Sequence, residues 1–249
     1  MLNSLIILIL GLIVGSFLNV VILRYNTGRS LGGRSGCFSC GKKLVWYELF
    51  PVASWLAQGG RCRGCKGKIS WQYPLVELLT GVLFVLAYWK FSPDWWKIAF
   101  ACISLAVLVV LTTYDWRHKI IPNFFVYLFV ILGFAYCIFF GDFFSGLFGG
   151  IVLALIFASL WFFSKGRWLG FGDVKLVAGI GLFLGWRGGL SAIILAVWAG
   201  ALVGLGLIFL RKIKLWHSKK SFTMKSELPF APFLMLGFIL SFIFNLNVF

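Results

Sequence analysis

Acidic residues are nearly missing from this chain: 7 Asp and Glu stand against 23 Lys and Arg in 249 residues, and only 12% of the residues are charged. An ordinary soluble domain is roughly 25% charged and 45 to 50% apolar. A chain that is 61% hydrophobic falls outside that class and reads as a membrane protein. The first apolar run, Leu5 to Leu23, has no Lys or Arg ahead of it, so it lacks the basic start of a cleaved secretory signal. Followed by Arg24, it reads as a retained helix with its N-terminus outside. No segment combines aromatic and basic residues as nucleic-acid modules do. The net charge of +16 is therefore read as membrane topology and attraction to the anionic cytoplasmic leaflet, with the lipid bilayer and not nucleic acid as partner.

Further apolar runs cover Leu75 to Trp89, Ile98 to Tyr114, Phe124 to Phe140, Leu147 to Phe163, Val174 to Trp186, Leu190 to Leu210 and Phe230 to Phe249. With the first they predict about eight transmembrane helices, several near the roughly 20 residues that a 30 Å hydrocarbon core requires. The sixth run is short and needs the Gly170 to Asp173 stretch, a tilt or a locally thin site to complete it. Short turns at Ser92 to Trp96, Gly141 to Ser145 and Arg187 to Gly189 alternate with long basic loops at Arg24 to Tyr73 and Arg211 to Leu228. An outside N-terminus puts 20 of the 23 Lys and Arg on one side, which makes the long loops cytoplasmic. The expected class is an all-α polytopic membrane protein. Its expected divisions are a first helix at 1–23, a zinc-binding loop domain at 24–73 and a membrane core of about seven helices at 74–249.

The first loop carries Cys37-Phe-Ser-Cys40 and Cys62-Arg-Gly-Cys65. Two C-x2-C pairs at this separation can close a sulfur tetrahedron around zinc, and Gly41 and Gly67 suit the tight turns of such knuckles. Four thiolates would fill the coordination shell, so the metal would be structural. The alternatives are two disulfides or unligated thiols, and a cytoplasmic loop argues against disulfides. Cys102 and Cys137 stand alone in apolar runs and read as small buried hydrophobes.

With so few acids, each can be weighed separately. Asp94 and Asp142 lie in short turns and read as helix caps. Glu77 follows Pro74 early in the second span, where the helix dipole favours a structural carboxylate. Glu48 and Glu227, among basic residues, read as solvated ion pairs. Asp115, in Thr-Tyr-Asp-Trp-Arg-His-Lys, closes the third span, and Asp173, in Gly-Phe-Gly-Asp-Val-Lys, opens the sixth. Both sit at the cytoplasmic end of a span, where a bundle can bring them together. Two carboxylates in one partly dry site share a proton, giving an acid and a base, the pairing that aspartic proteolysis uses. Gly170 and Gly172 would let an extended peptide approach Asp173. The competing readings are ion pairs with Arg117, Lys119 or Lys175, and a transporter or ion relay using the two acids as cation sites. Ser16, Asn19 and Asn123 read as interhelical hydrogen bonds.

Several segments in fixed order resemble the bacterial prepilin peptidase, or type IV leader peptidase, family of membrane aspartic endopeptidases. They are Gly15-Ser-Phe-Leu-Asn-Val-Val-Ile-Leu-Arg24, the two Cys pairs, Trp46-Tyr-Glu, Pro51, Ile69-Ser, Tyr73-Pro-Leu-Val-Glu-Leu-Leu-Thr-Gly81, Asp115 with Ile121-Pro-Asn123, Gly170-Phe-Gly-Asp-Val-Lys175 and Pro229-Phe-Ala-Pro-Phe233. The resemblance implies Asp115 and Asp173 as the catalytic aspartates and Cys37, Cys40, Cys62 and Cys65 as zinc ligands. It implies cleavage of the basic leader of prepilins and pseudopilins after a Gly at the cytoplasmic face of the bacterial inner membrane. It further implies methylation of the new N-terminus with S-adenosylmethionine. The chain departs from the family pattern at Asn26, Phe38, Leu49-Phe50-Pro51 and Ala231.

Overall fold

A computed structural model of the chain describes residues 2–37, 39–212, 229–246 and 248. The basic loop expected at Arg211 to Leu228, with Glu227, lies almost wholly outside the described residues. Among the described residues the structure is helical, with two isolated antiparallel bridges as its extended pairing. This outcome follows from the long apolar runs, because in lipid a single segment satisfies its own backbone only as a helix. Five helices are long and apolar enough to cross a membrane, so the chain is a multi-pass membrane protein. It forms two compact units, Met1–Thr113 and Tyr114–Phe249.

The first unit holds α1 (Leu2–Arg24), a 3-10 turn at Trp46–Leu49, the short α2 (Ala53–Ala57), α3 (Gln72–Phe91) and most of α4 (Trp95–His118). Helices α1 and α3 meet backbone to backbone. A Cβ added at Gly11 would lie 2.7 Å from Gly81 Cα, and one at Gly15 would lie 2.7 Å from Glu77 Cα. Between lipid-exposed helices, burying apolar side chains gains little over lipid contact, so small residues that admit close van der Waals packing do the holding. The opposite face of α1, with Leu5, Ile9, Ile13 and Phe17 exposed, is the lipid side.

The second unit begins at the end of α4 and continues through α5 (Asn123–Phe139), α6 (Phe143–Phe163), α7 (Phe171–Lys212) and α8 (Ala231–Phe242). Asp142 caps α6 by accepting the Phe144 and Ser145 N–H groups, and Asp94 accepts the Lys97 N–H, as the sequence predicts for both. Phe129, Phe183, Phe238 and Phe242 form an aromatic core whose ring centroids lie 4.9 to 5.8 Å apart in the contacting pairs. Edge-to-face and offset pairs of this kind add specificity to packing.

Two span expectations change. The sixth and seventh runs form two helical arms, as expected, but the break between them is at Gly185 (φ 69°, ψ −174°) and not at Arg187 to Gly189, which is helical; both arms lie within α7. The chain doubles back there. A Cβ at Gly189 would sit 3.3 Å from Gly181 Cα, whereas residues eight apart in a straight helix are about 12 Å apart. The first arm starts at Phe171 and takes in Asp173, so the Gly170 to Asp173 stretch does lengthen the short sixth run. The last span is shorter than expected: α8 has 12 residues and rises about 18 Å.

Gly185 sits in a backbone region that other residues enter only at about 1–3 kcal/mol, and a side chain there would meet Ser145 Oγ. Gly185→Ala is therefore expected to lower stability by about 1–3 kcal/mol, read as an earlier midpoint in denaturant unfolding of the detergent-solubilised protein. Gly206→Ala is the control. A Cβ at Gly206 meets nothing within 4 Å, so that change should be neutral or slightly stabilising.

Candidate functional site

The two acids singled out in the sequence both lie in the second unit and both are buried, Asp115 at 6% exposed and Asp173 at 9%. Asp115 is on the last turn of α4. Its Oδ2 accepts the N–H of Ala231 at 3.2 Å, the first residue of α8. That N–H is one of the orphan donors every helix start presents, and the Pro-Phe-Ala-Pro segment brings it to the carboxylate. Asp173 stands in the first turn of α7. Its Oδ2 accepts the Gly170 N–H at 3.2 Å, while its own N–H donates to Gly170 O at 3.1 Å. Each acid is thus held at a helix N-terminus by a neutral main-chain donor. The Asp115 charge acts on Asp173.

The ion-pair alternatives fail for Asp173. Lys175 Nζ donates to Asn123 Oδ1 at 2.9 Å and lies over the Tyr127 and Phe171 rings, 4.5 and 5.1 Å from their centroids. Lys175 thereby ties the start of α7 to the start of α5, and Asn123 makes the interhelical bond expected of it. Among the described residues the ion pairs are Lys42–Glu48 and Lys97–Asp94, and neither includes Asp115 or Asp173. The glycines beside Asp173 divide in role. Gly170 is exposed, with only Asp173 Oδ2 near an added Cβ. A Cβ added at Gly172 would lie 2.7 Å from Ile121 Cβ, so this glycine's lack of a side chain serves the fold and not the approach of a peptide.

The cysteine loop lies in the first unit. Its two knuckles share one hydrogen-bond pattern: Cys37 N–H to Lys42 O and Gly41 N–H to Cys37 O in the first, Cys62 N–H to Gly67 O and Lys66 N–H to Cys62 O in the second. One antiparallel bridge closes each, Gly36 with Lys43 and Arg61 with Lys68. Gly41 has the positive φ (69°) expected of it, but in the second knuckle Lys66 (57°) holds that place. Gly67 is small for another reason, since an added Cβ would lie 3.3 Å from Cys65 Sγ.

The four sulfurs lie within 4.8 Å of one another, with Cys37 and Cys65 at 3.8 Å. A tetrahedron with metal–sulfur bonds of about 2.3 Å has edges of about 3.8 Å, whereas a disulfide needs about 2.05 Å. The cysteines are free thiols, and the cluster can hold one metal ion. The Cys40 and Ser39 N–H groups hold the Cys37 thiol down to about 6. The Gly67 N–H pulls the Cys65 thiol the same way but is outweighed by Cys40, burial, Cys37 and Cys62, which leave it at about 11. Glu48 departs from its expected solvated state. It pairs with Lys42 at 3.2 Å but is only 6% exposed, and its Oε2 accepts the Val45 N–H at 3.1 Å. Cys102 and Cys137 are buried, as predicted.

Residues 9–91 match the Bacterial Peptidase A24 N-terminal domain, and residues 102–205 match the Type IV leader peptidase family. The first segment contains all four loop cysteines and the second contains both aspartates. A prepilin leader peptidase/N-methyltransferase of Myxococcus xanthus is 41% identical over 205 residues, covering 79% of this chain and 61% of that protein. Proteins of the same name from Aeromonas hydrophila and Burkholderia pseudomallei are 32% and 31% identical, covering 91% and 92% of this chain and 86% and 82% of theirs. No solved structure matches the chain.

Cys62, the one buried thiol of the four, anchors the cluster, so Cys62→Ser is expected to abolish most bound metal, read by elemental analysis of purified protein. The Val45 N–H first, and then Lys42, hold the Glu48 carboxyl below the ordinary carboxylate range. A depressed folded-state value gives stability that is present above the ordinary Glu range and lost as pH falls through the folded value. Hydrogen-exchange protection of residues 42–49 should therefore decline on acidification, and less so in Glu48→Gln.

Proposed function

This chain belongs to the type IV leader peptidase family, and on that premise we propose that it is an aspartic endopeptidase of the bacterial cytoplasmic membrane that removes the basic leader of prepilins and pseudopilins. Cleavage falls on the carboxyl side of a Gly at the cytoplasmic face, with the N-terminus of the enzyme outside and its long basic loops inside. The observation that carries this reading is the pair Asp115 and Asp173. Both are buried, electrostatically linked and held by main-chain N–H groups rather than by cations.

Two such carboxylates cannot both ionise cheaply, so one keeps a proton. The ionised partner accepts a proton from water as its oxygen attacks the scissile Gly carbonyl, and the protonated one donates to the leaving amine. The exposed Gly170, next to Asp173 Oδ2, leaves room for an extended substrate backbone. A cation-transport reading is not favoured, since both acids lie at helix ends and not at mid-span.

Zinc is the metal proposed for Cys37, Cys40, Cys62 and Cys65, in a structural role because four thiolates leave no open position. The functional division follows the sequence expectation of a first helix, a zinc loop at 24–73 and a membrane peptidase core from residue 74. The names of the relatives also support N-methylation of the new N-terminus, with S-adenosylmethionine supplying the methyl group. No described residue is assigned to that cofactor.

Asn is nearly isosteric with Asp and its Oδ1 can still accept the N–H of Ala231 or Gly170, so Asp115→Asn and Asp173→Asn should fold. Each is expected to lower leader cleavage by at least about 10²–10⁴-fold, read by product masses when purified enzyme is mixed with a prepilin. Cleavage at the wild-type rate by either variant would remove the catalytic assignment.

A further inference from the structure

Glu77 is a buried carboxylate that the peptidase chemistry does not use. It lies in the second turn of α3, 6% exposed, and no cation pairs with it among the described residues. Its Oε2 accepts the Val52 N–H at 2.7 Å, and Gly15 of α1 faces it, an added Cβ there lying 2.7 Å from Glu77 Cα. One turn along α1, Asn19 is 1% exposed. Its Nδ2 donates to Tyr73 O at 3.1 Å and to Gly15 O at 3.4 Å. Both partners are carbonyls, which fixes the orientation of the amide, because the flipped form would set three acceptors against one another. Asn19 Oδ1 therefore points away from them, and it is buried without a hydrogen-bond partner.

The neighbouring Thr80 hydroxyl donates to Val76 O at 2.7 Å and has only lone pairs left to offer. It also faces Gly15, whose added Cβ would lie 3.1 Å from Thr80 Oγ1. This stretch of the α1–α3 seam thus offers a carboxylate, an amide carbonyl and a hydroxyl lone pair. A buried acceptor left without a partner is costly, so it calls for a donor. The backbone above Glu77 is also unusual. Val52 is half-buried at φ 59°, ψ −51°, a conformation that a β-branched residue adopts only under constraint and that clusters at ligand clamps.

We propose that Glu77 and Asn19 form a receptor for a primary ammonium group. An ammonium brings one positive charge and three N–H donors and no acceptor, which matches a buried carboxylate and a buried amide oxygen that lacks a donor on the same seam. Given the peptidase reading, on which this assignment of the ligand rests, two ammonium groups reach the enzyme. One is the α-ammonium freed on the pilin by leader removal, and the other is a lysine side chain of the leader. Proton transfer from a bound α-ammonium to Glu77 breaks one N–H bond and makes one O–H bond. It leaves the electron pair on nitrogen as a neutral amine, the form that N-methylation consumes.

The test uses the full detergent-solubilised chain and a synthetic peptide of the first residues of a mature pilin, with its N-terminus either free or acetylated. Wild-type protein is expected to bind the free-amine peptide about tenfold more tightly than the acetylated one. In Glu77→Gln that ratio should fall to near one, with kcat for leader cleavage unchanged within about twofold. Gln is nearly isosteric with Glu and retains an acceptor for the Val52 N–H, so the variant should fold, and retained cleavage verifies that it has. If the leader lysine is the source, replacing it with norleucine should raise KM for cleavage by the wild type and not by Glu77→Gln, while acetylation has no effect. Equal binding of both peptides by the wild type together with no lysine effect would overturn the receptor, as would an unchanged ratio in Glu77→Gln. A wild-type protein that separates the two peptides but cuts no prepilin would overturn the peptidase reading and leave the receptor standing.

Discussion

A carboxylate inside an apolar helix assembly has to be satisfied without a solvated counter-charge, and the rest of this structure is arranged around that requirement. Each of the six described acids accepts at least one main-chain N–H: Asp115 from Ala231, Asp173 from Gly170, Glu77 from Val52, Glu48 from Val45, Asp142 from Phe144 and Asp94 from Lys97. Only Glu48 and Asp94, outside the spans, also have a cation among the described residues. A hydrogen bond from a neutral donor to a charged acceptor contributes about 1.5–3 kcal/mol. It does so without the cost of burying a second ion, which often exceeds the gain from pairing.

The choice of donors shapes the fold. Asp115 draws its N–H from the first residue of α8, so the last helix is registered against the end of α4 by the same group proposed to act in the reaction. Asp173 draws its N–H from three residues upstream, within its own turn, and Lys175 then anchors that turn to Asn123. Lys175 would otherwise be the nearest cation in sequence to Asp173. Engaged with Asn123 and stacked over two rings, it leaves the buried Asp173 carboxylate without a cation partner among the described residues, the condition under which two neighbouring acids can divide the roles of acid and base.

The span pattern, the cysteine cluster and the buried aspartates were legible because each rests on a local signal: run length, a two-residue knuckle gap, an acid in an apolar segment. Long-range geometry was not. Nothing near Glu48 in the sequence distinguishes a solvated acid from one turned inward to cap Val45. Glu77 and Val52 are 25 residues apart, and no periodicity links a loop amide to a helix acid. Ala231 was visible only as part of a motif, and its N–H became a partner of Asp115 once α8 was in position. The positive φ in the second knuckle falls on Lys66, where a sequence reading looks to the neighbouring glycine. The backbone pattern of the knuckle fixes the position four residues after the first cysteine, whatever side chain stands there.

The reversal within α7 shows the same limit. Arg187-Gly188-Gly189 has the composition of a turn, polar and glycine-rich between apolar runs, yet it is helical. What decides the matter is crowding against α6. A Cβ at Gly181 would lie 2.6 Å from Gly149 C, one at Gly185 would meet Ser145 Oγ, and one at Gly189 would lie 2.6 Å from Leu153 Cδ1. Glycines four apart, Gly181, Gly185 and Gly189, thus lie along one close seam with α6, and only the middle one also takes a left-handed φ. A glycine in a turn-like segment can be small for packing while another, inside an apolar run, supplies the bend. Composition alone cannot separate these roles, because both are met by the absence of the same atom.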